Sequence, residues 1–452
     1  MSAKESPKKG SMQVQREAPS IRVASLQVRL KASRERDMKR EVVWLLGTSY
    51  VEGSSALKDA VLGLFRFTYR RDFQSLEPYS QTSDAGWGCM LRSAQMLLGN
   101  CMRRHYLGRD WKFLFQSGKA VPAAIADLKR DRSVYIDILM WFCDYPGHPH
   151  YYSLHHMVQG GMRYDKLPGD WFGPSIALLV LRDLAKLHRL KYGGELELYI
   201  ANGDTIYVSE IEALCTAPVA VNSNVSMVGS QARLRASLSS PVLPKPDIDT
   251  AFPTVEEWGV DSSPPPILYD PLLNPAPEPE AQPWLCSLLV AIPLMLSSTR
   301  EVPAAAVQGV KALLRCKNCL GMLGGWPNHA IYFVGYKENA LLGLDPHSVY
   351  PVPDTSADSF PSQEFIHQIH VAELDSMDFS RLDPSAAAAF YFRIRVEFEA
   401  FRAEWKQGLG RECTFFTIQQ QTPSYVSEAR AFGYDGNDED DDHDGDDEYV
   451  LI

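Results

Sequence analysis

The stretch Thr82-Ser83-Asp84-Ala85-Gly86-Trp87-Gly88-Cys89-Met90-Leu91-Arg92-Ser93-Ala94-Gln95-Met96-Leu97-Leu98 is the most informative in the 452-residue chain. Up to Gly88 it reads as a turn, with two glycines bracketing a tryptophan. After Cys89, apolar residues at 90, 94, 97, 98 and 101 follow helical spacing, which places the cysteine in the first turn of a helix. Unpaired N–H groups and the helix macrodipole favour an anion there, so this thiol should ionise more readily than an ordinary one. Gly88 is expected to leave space for a substrate carbonyl, with the Cys89 backbone N–H facing the oxyanion that develops on it. A small apolar residue at a helix start is the competing reading of Cys89, and this segment alone leaves both open.

On either side of that segment, the chain divides by composition. Residues 1–40 are polar and rich in Lys and Arg, and read as a disordered basic arm. A globular pattern runs over 41–218, with strands expected at Val42 to Leu46 and Leu196 to Ile200, and helices at Met90 to Arg104 and Ser175 to Leu187. Between 219 and 283 the composition changes. Twelve of the chain's 30 prolines fall between Pro241 and Pro283, as expected of a flexible insertion that splits the folded body. The globular pattern resumes over 284–420, with a buried strand at Leu288 to Leu296 and another at Ile331 to Val334. An acidic tail closes the sequence over 421–452, carrying ten Asp or Glu between Asp435 and Glu448. Most of the net charge of −11 lies there, so the body is close to neutral and has no clustered basic face for nucleic acid.

Eight scattered cysteines in a chain of this length do not make a disulfide framework, and free thiols in a reducing, cytoplasmic setting are expected. Cys316-Lys317-Asn318-Cys319 has metal-knuckle or redox spacing but no second pair to complete a zinc site, and reads as core or surface cysteines at a helix end. Asp440, Asp442, Asp444 and Gly445 imitate the start of a calcium loop, but Leu451 stands where its glutamate would be needed.

A nucleophilic thiol needs an imidazole to move its proton and a third group to orient that imidazole. Of eleven histidines, His347 has an evident partner, in Leu341-Leu342-Gly343-Leu344-Asp345-Pro346-His347. If the preceding apolar run is a strand, residues 345 and 347 share one face, and Pro346 stiffens their connection. A surface turn opened by Asp-Pro is the competing reading.

Taken together, several blocks resemble the autophagin family, the autophagy-related cysteine peptidases that process GABARAP-class ubiquitin-like modifiers. The early blocks are Phe67-Thr68-Tyr69-Arg70-Arg71-Asp72-Phe73, Thr82 to Met96, and Asp170-Trp171-Phe172-Gly173-Pro174. The later ones are Leu323-Gly324-Gly325-Trp326-Pro327-Asn328, Tyr332-Phe333-Val334-Gly335-Tyr336, Leu344-Asp345-Pro346-His347 and Asp383-Pro384-Ser385. The resemblance implies an α+β, papain-like cysteine peptidase fold with a small accessory subdomain. It implies Cys89 as nucleophile, His347 as general base and acid, and Asp345 as its orienter. Tyr69 would lend its hydroxyl to the oxyanion hole, and Trp171 would line the passage for the substrate's C-terminal glycine.

The implied reaction is cleavage after the C-terminal glycine of a GABARAP-class modifier. It matures the precursor, or releases the modifier from phosphatidylethanolamine, with peripheral contact to autophagic membranes through the substrate. No metal or organic cofactor is implied. One departure stands out: Trp326 precedes Pro327 where relatives commonly read Gly-Gly-Lys-Pro. At the C-terminus, Tyr449 and Ile452 after acidic residues resemble the short motif that docks onto these modifiers by adding a strand to a sheet edge. The residues leave two other functions open: a thiol isopeptidase of another ubiquitin-like system, and a non-catalytic modifier-binding adaptor.

Overall fold

Apolar runs without alternation demand a sheet covered on both faces, and the protein builds one. A computed structural model describes residues 41–113, 125–192, 196–217, 283–357 and 359–423. The basic arm, the proline-rich segment up to 282 and the tail from 424, with Tyr449 and Ile452, lie outside the described residues.

Among the described residues the main sheet has nine strands. Its path runs Asp375–Asp378, Ala340–Leu344, His329–Lys337, Cys319–Trp326, Ser385–Phe392, Ser287–Met295 and Leu196–Ile200, while Val42–Leu45 pairs with Thr48–Val51 and His329–Lys337. Pairing is antiparallel except at the end, where Leu196–Ile200 runs parallel to Ser287–Met295. That parallel pair joins the chain before the proline-rich segment to the chain after it in one sheet.

Successive side chains of a strand point to opposite faces, and the two cores sort accordingly. Leu289, Ala291, Ala387, Ala389 and Tyr391 belong to one buried cluster, and Leu288, Val290, Ile292, Ala388, Phe390 and Phe392 to the other. Helices Cys89–Tyr106 and Pro174–Tyr192 contribute to the first cluster; Ala304–Arg315 and Arg395–Glu404 contribute to the second. Each large apolar side chain buried in this way contributes about 1.5–3 kcal/mol. The result is the expected α+β arrangement, with the expected strands and helices in place.

The Cys89–Tyr106 helix is buried on all sides from Cys89 to His105, so its polar side chains must find partners inside the protein. Asn100 closes a reciprocal pair with Phe65, its Oδ1 accepting from the backbone N–H at 3.0 Å and its Nδ2 donating to the carbonyl at 2.9 Å. Gln95 Nε2 donates to the carbonyl of Tyr152. These bonds fix the rotation of the helix, and therefore the direction of Cys89. Cys316 caps the Ala304–Arg315 helix and Cys319 opens the next strand; both are buried structural thiols. Among the described residues, no helix is long and apolar enough to cross a membrane.

Candidate active site

Cys89 opens its helix behind Gly88, as the spacing predicts. The turn before it is held by Asp84. The Asp84 carbonyl accepts the Gly88 N–H at 2.9 Å, and its side chain accepts the Arg70 backbone N–H and Arg92 Nε. Arg92 also reaches Asp144 at 2.8 Å, so one guanidinium joins two carboxylates, and all three side chains are sealed from solvent. Burial opposes the charge on Arg92, but Asp144 and Asp84 outweigh it and hold the guanidinium above its ordinary range. Gly88 is explained by this cluster: a Cβ there would stand 2.4 Å from Asp84 Oδ2.

The second half of the site follows the strand Ala340–Leu344, which pairs with His329–Lys337. The strand stops at Leu344, and Asp345 does not continue it. Instead its Oδ1 accepts both the backbone N–H of His347, at 2.7 Å, and the ring Nδ1–H, at 2.6 Å. The carboxylate therefore curls back onto the histidine rather than lying beside it on an extended strand. This loop is docked on the segment that leads to Tyr69. Arg66 donates to the Asp345 carbonyl and Ser348 Oγ, the Tyr69 N–H donates to the Pro346 carbonyl at 2.9 Å, and Val349–Pro351 runs parallel to Tyr69–Leu76. In this way residues widely separated in sequence meet.

His347 Nε2 is buried and has no hydrogen-bond partner. The Cys89 side chain is its neighbour and favours the charged ring. Burial works against the imidazolium, but Asp345 and then Cys89 prevail, and the His347 pKa is pushed up to about 9. Burial alone would raise Asp345, yet its bonds to His347 bring it down to about 2. The Tyr69 ring meets His347 edge-on at 5.3 Å. Its hydroxyl sits against Cys89 and the Gly86 backbone, and burial, with Cys89 adding, raises the phenol well above its ordinary range. Trp171 is half-buried at the rim of the core cluster that contains Cys89 and Tyr69.

Sequence reasoning missed Arg92, Asp144 and His329. Asp84 sits in the turn before Cys89 with no role evident from its neighbours, and nothing in the sequence links Arg92 to a carboxylate 52 positions away. His329 stacks on His347, with centroids 3.4 Å apart and planes within 4°. His329, Asp345 and His347 bring potential metal-ligand atoms within 4.8 Å of one another. However, near-parallel rings aim their in-plane lone pairs side by side rather than at a common point, and Asp345 already occupies His347 Nδ1.

A buried thiol at a helix N-terminus, facing an imidazole whose other nitrogen is held by a carboxylate, is the constellation of the thiol peptidases. Residues 54–404 match the family described as the peptidase C54 catalytic domain. The chain belongs to that family, the autophagins, and is a papain-like cysteine peptidase of autophagy. It is similar to "Cysteine protease ATG4B" of Gallus gallus, 30% identical over 393 residues, which cover 86% of each chain. The Xenopus laevis ATG4B is 29% identical over 396 residues, covering 86% of this chain and 85% of that one. "Cysteine protease ATG4A" of Homo sapiens is 29% identical over 389 residues, covering 85% and 83% respectively.

Proposed function

We propose that the protein cleaves GABARAP-class ubiquitin-like modifiers after their C-terminal glycine, with Cys89 as nucleophile. The observation that carries this reading is the division of labour on His347: Nδ1 is held by Asp345, while the buried, unpartnered Nε2 faces the thiol. With Nδ1 donating to the carboxylate, Nε2 holds the proton taken from the thiol, because a His347 pKa of about 9 favours the imidazolium paired with the sulfur at neutral pH. The Cys89 sulfur then attacks the glycine carbonyl carbon, and negative charge grows on the carbonyl oxygen. The Tyr69 hydroxyl and the N–H groups at the helix start supply donors for that oxygen. When the C–N bond breaks, the His347 imidazolium gives its proton to the departing amine, leaving a thioester on Cys89. Water, deprotonated by the same Nε2, hydrolyses it.

The leaving amine belongs either to a short C-terminal extension of the precursor or to phosphatidylethanolamine, so one site both matures the modifier and detaches it from membranes. Trp171, at the rim of the core around Cys89, lines the path of the glycine. Tyr449 and Ile452 dock the modifier through the short motif at the end of the sequence. The arm over 1–40 and the segment over 219–283 flank and interrupt a body that acts in the cytoplasm and uses no metal or organic cofactor.

The test is a cleavage assay on a panel of modifier precursors and their lipidated forms, with ubiquitin as a control, comparing wild type with Cys89→Ala. Wild type should process the modifiers and the variant should not. Cleavage of ubiquitin alone would remove the substrate assignment, and activity surviving in Cys89→Ala would remove the nucleophile.

A further inference from the structure

One hydrogen bond does not fix an imidazole. Asp345 holds His347 at Nδ1, but a single contact of that kind leaves the ring free to swing about the Nδ1···Oδ1 line, carrying Nε2 away from the thiol. A rigid plane against the ring face removes that freedom, and His329 supplies it. Its ring lies 3.4 Å from that of His347 at an interplanar angle of 4°. It is itself backed by Trp326, at 3.7 Å and 14°, and Arg381 sits 4.0 Å over the indole. The edge of Tyr69 meets the same imidazole at 85°.

The plane is held by a tight hairpin. Trp326 and His329 are register partners at the end of their strands, joined by Pro327 and Asn328, and Asn328 adopts a left-handed φ of 62°. A Cβ on Gly325 would fall 1.9 Å from the His329 carbonyl oxygen, so only glycine lets the strands close this far. The Asp383 N–H anchors the Gly325 carbonyl at 2.8 Å. His329 Nε2 also lies 3.4 Å from Asp345 Oδ2, the oxygen that His347 does not use. That distance is long for a hydrogen bond, so the stack is the firmer of the two contacts.

We propose that His329 is a positioning residue of this enzyme: it clamps the face of His347 and shares Asp345 with it, so that Nε2 stays aimed at Cys89. The proposal rests on the assignment of His347 as general base and acid. The charges around His329 agree with it. Burial, the facing His347 and the nearby Arg381 disfavour a proton on His329, against the pull of Asp345, and hold its pKa below the ordinary imidazole value. On the backbone side of this carboxylate stands Asp375, which accepts the Asp345 N–H at 3.3 Å. A neutral ring over an imidazolium is attractive, whereas two protonated rings in contact would repel.

The test compares His329→Ala with His329→Phe in the full chain. Two readouts are used: kcat and KM on a modifier precursor, and the pH dependence of Cys89 alkylation by iodoacetamide with Cys89→Ala as blank. His329→Ala should lower kcat about 10- to 100-fold with KM within about twofold, as expected for a misaimed catalytic group. Water admitted to the ring face screens Asp345 and the thiolate, so the alkaline limb of alkylation should move to lower pH. Phenylalanine keeps the plane and should restore kcat to within about threefold of wild type.

Wild-type kcat and alkylation in His329→Ala would overturn the proposal, as would equal losses in the two variants. If thermal melting shows that His329→Ala does not fold, Trp326→Ala serves instead. It removes the backing of the stack and should lower kcat about fivefold at constant KM; no change there also overturns the idea. Precursor cleavage persisting in the Cys89→Ala blank would instead sink the underlying mechanism, a separate result.

Discussion

Two clusters of charge support this site, and they are built on opposite plans. In the first turns of the Cys89–Tyr106 helix, one guanidinium, Arg92, is shared by two carboxylates, Asp84 and Asp144, and solvent is excluded from all three. At the cleft, one carboxylate, Asp345, is shared by two imidazoles, His347 and His329, and each side chain stays about a quarter exposed, between 22% and 26%. The first cluster spends its carboxylates on Arg92 and on the backbone N–H groups of Arg70 and Leu154. The second leaves His347 Nε2 without a partner beside a thiol. A network whose bonds point inward is a support. A network that leaves one ring nitrogen open beside a thiol is where a proton can move.

The difference predicts that damage to the two clusters reads out differently. The largest effect belongs to the open one. His347→Ala should lower kcat on a precursor about ten-thousand-fold, with a thermal melt close to wild type; an equally large fall in melting temperature would break the contrast. Next comes Arg92→Ala, which strands two buried carboxylates and should cost about 3–5 kcal/mol in urea denaturation. If that variant keeps its stability and loses only turnover, the inner cluster is not a support. Gly88→Ala pushes a methyl against the Asp84 carboxylate. It should cost about 1–3 kcal/mol and lower kcat as well, since the same displacement moves Cys89.

The smallest effect is in pH. The Asp345 pKa falls from 3.8 unfolded to about 2 folded, so its contribution to stability is complete above 3.8 and lost as pH drops through 2. The His347 pKa rises from 6.5 to about 9, so its contribution is complete below 6.5 and lost as pH climbs through 9. Denaturation of wild type and His347→Ala should therefore differ most near pH 5 and converge above pH 9, and the alkaline limb of kcat/KM should fall in that same upper range. A stability difference that grows with pH would reverse this sign and contradict the pairing.

Much of the site is legible in the amino-acid order, because it is local. Gly86, Trp87, Gly88 and Cys89 form a turn feeding a helix, and helical spacing after Cys89 places the thiol at an N-terminus. Asp345 and His347 are two residues apart, so their contact needs no tertiary information, although the carboxylate reaches forward to the His347 N–H instead of lying along a strand. Gly88 is legible as an obligatory small residue, but Asp84 as its neighbour is not. Arg92 with Asp144, and His329 with His347, are hidden for the same reason: no periodicity or spacing links them.

The order of residues alone dictates which segments become strands and helices, which cysteine opens a helix, and which histidine carries its own carboxylate. Those properties follow from backbone periodicity and from neighbours within a few residues. It takes the packed molecule to dock the Asp345 loop on Arg66 and Tyr69, to bring His347 to Cys89, and to lay His329 on the His347 ring through a hairpin turn. The physical reason is that chain geometry sets the order of residues along an element, whereas packing of a two-faced sheet sets which elements, and which faces of them, come together.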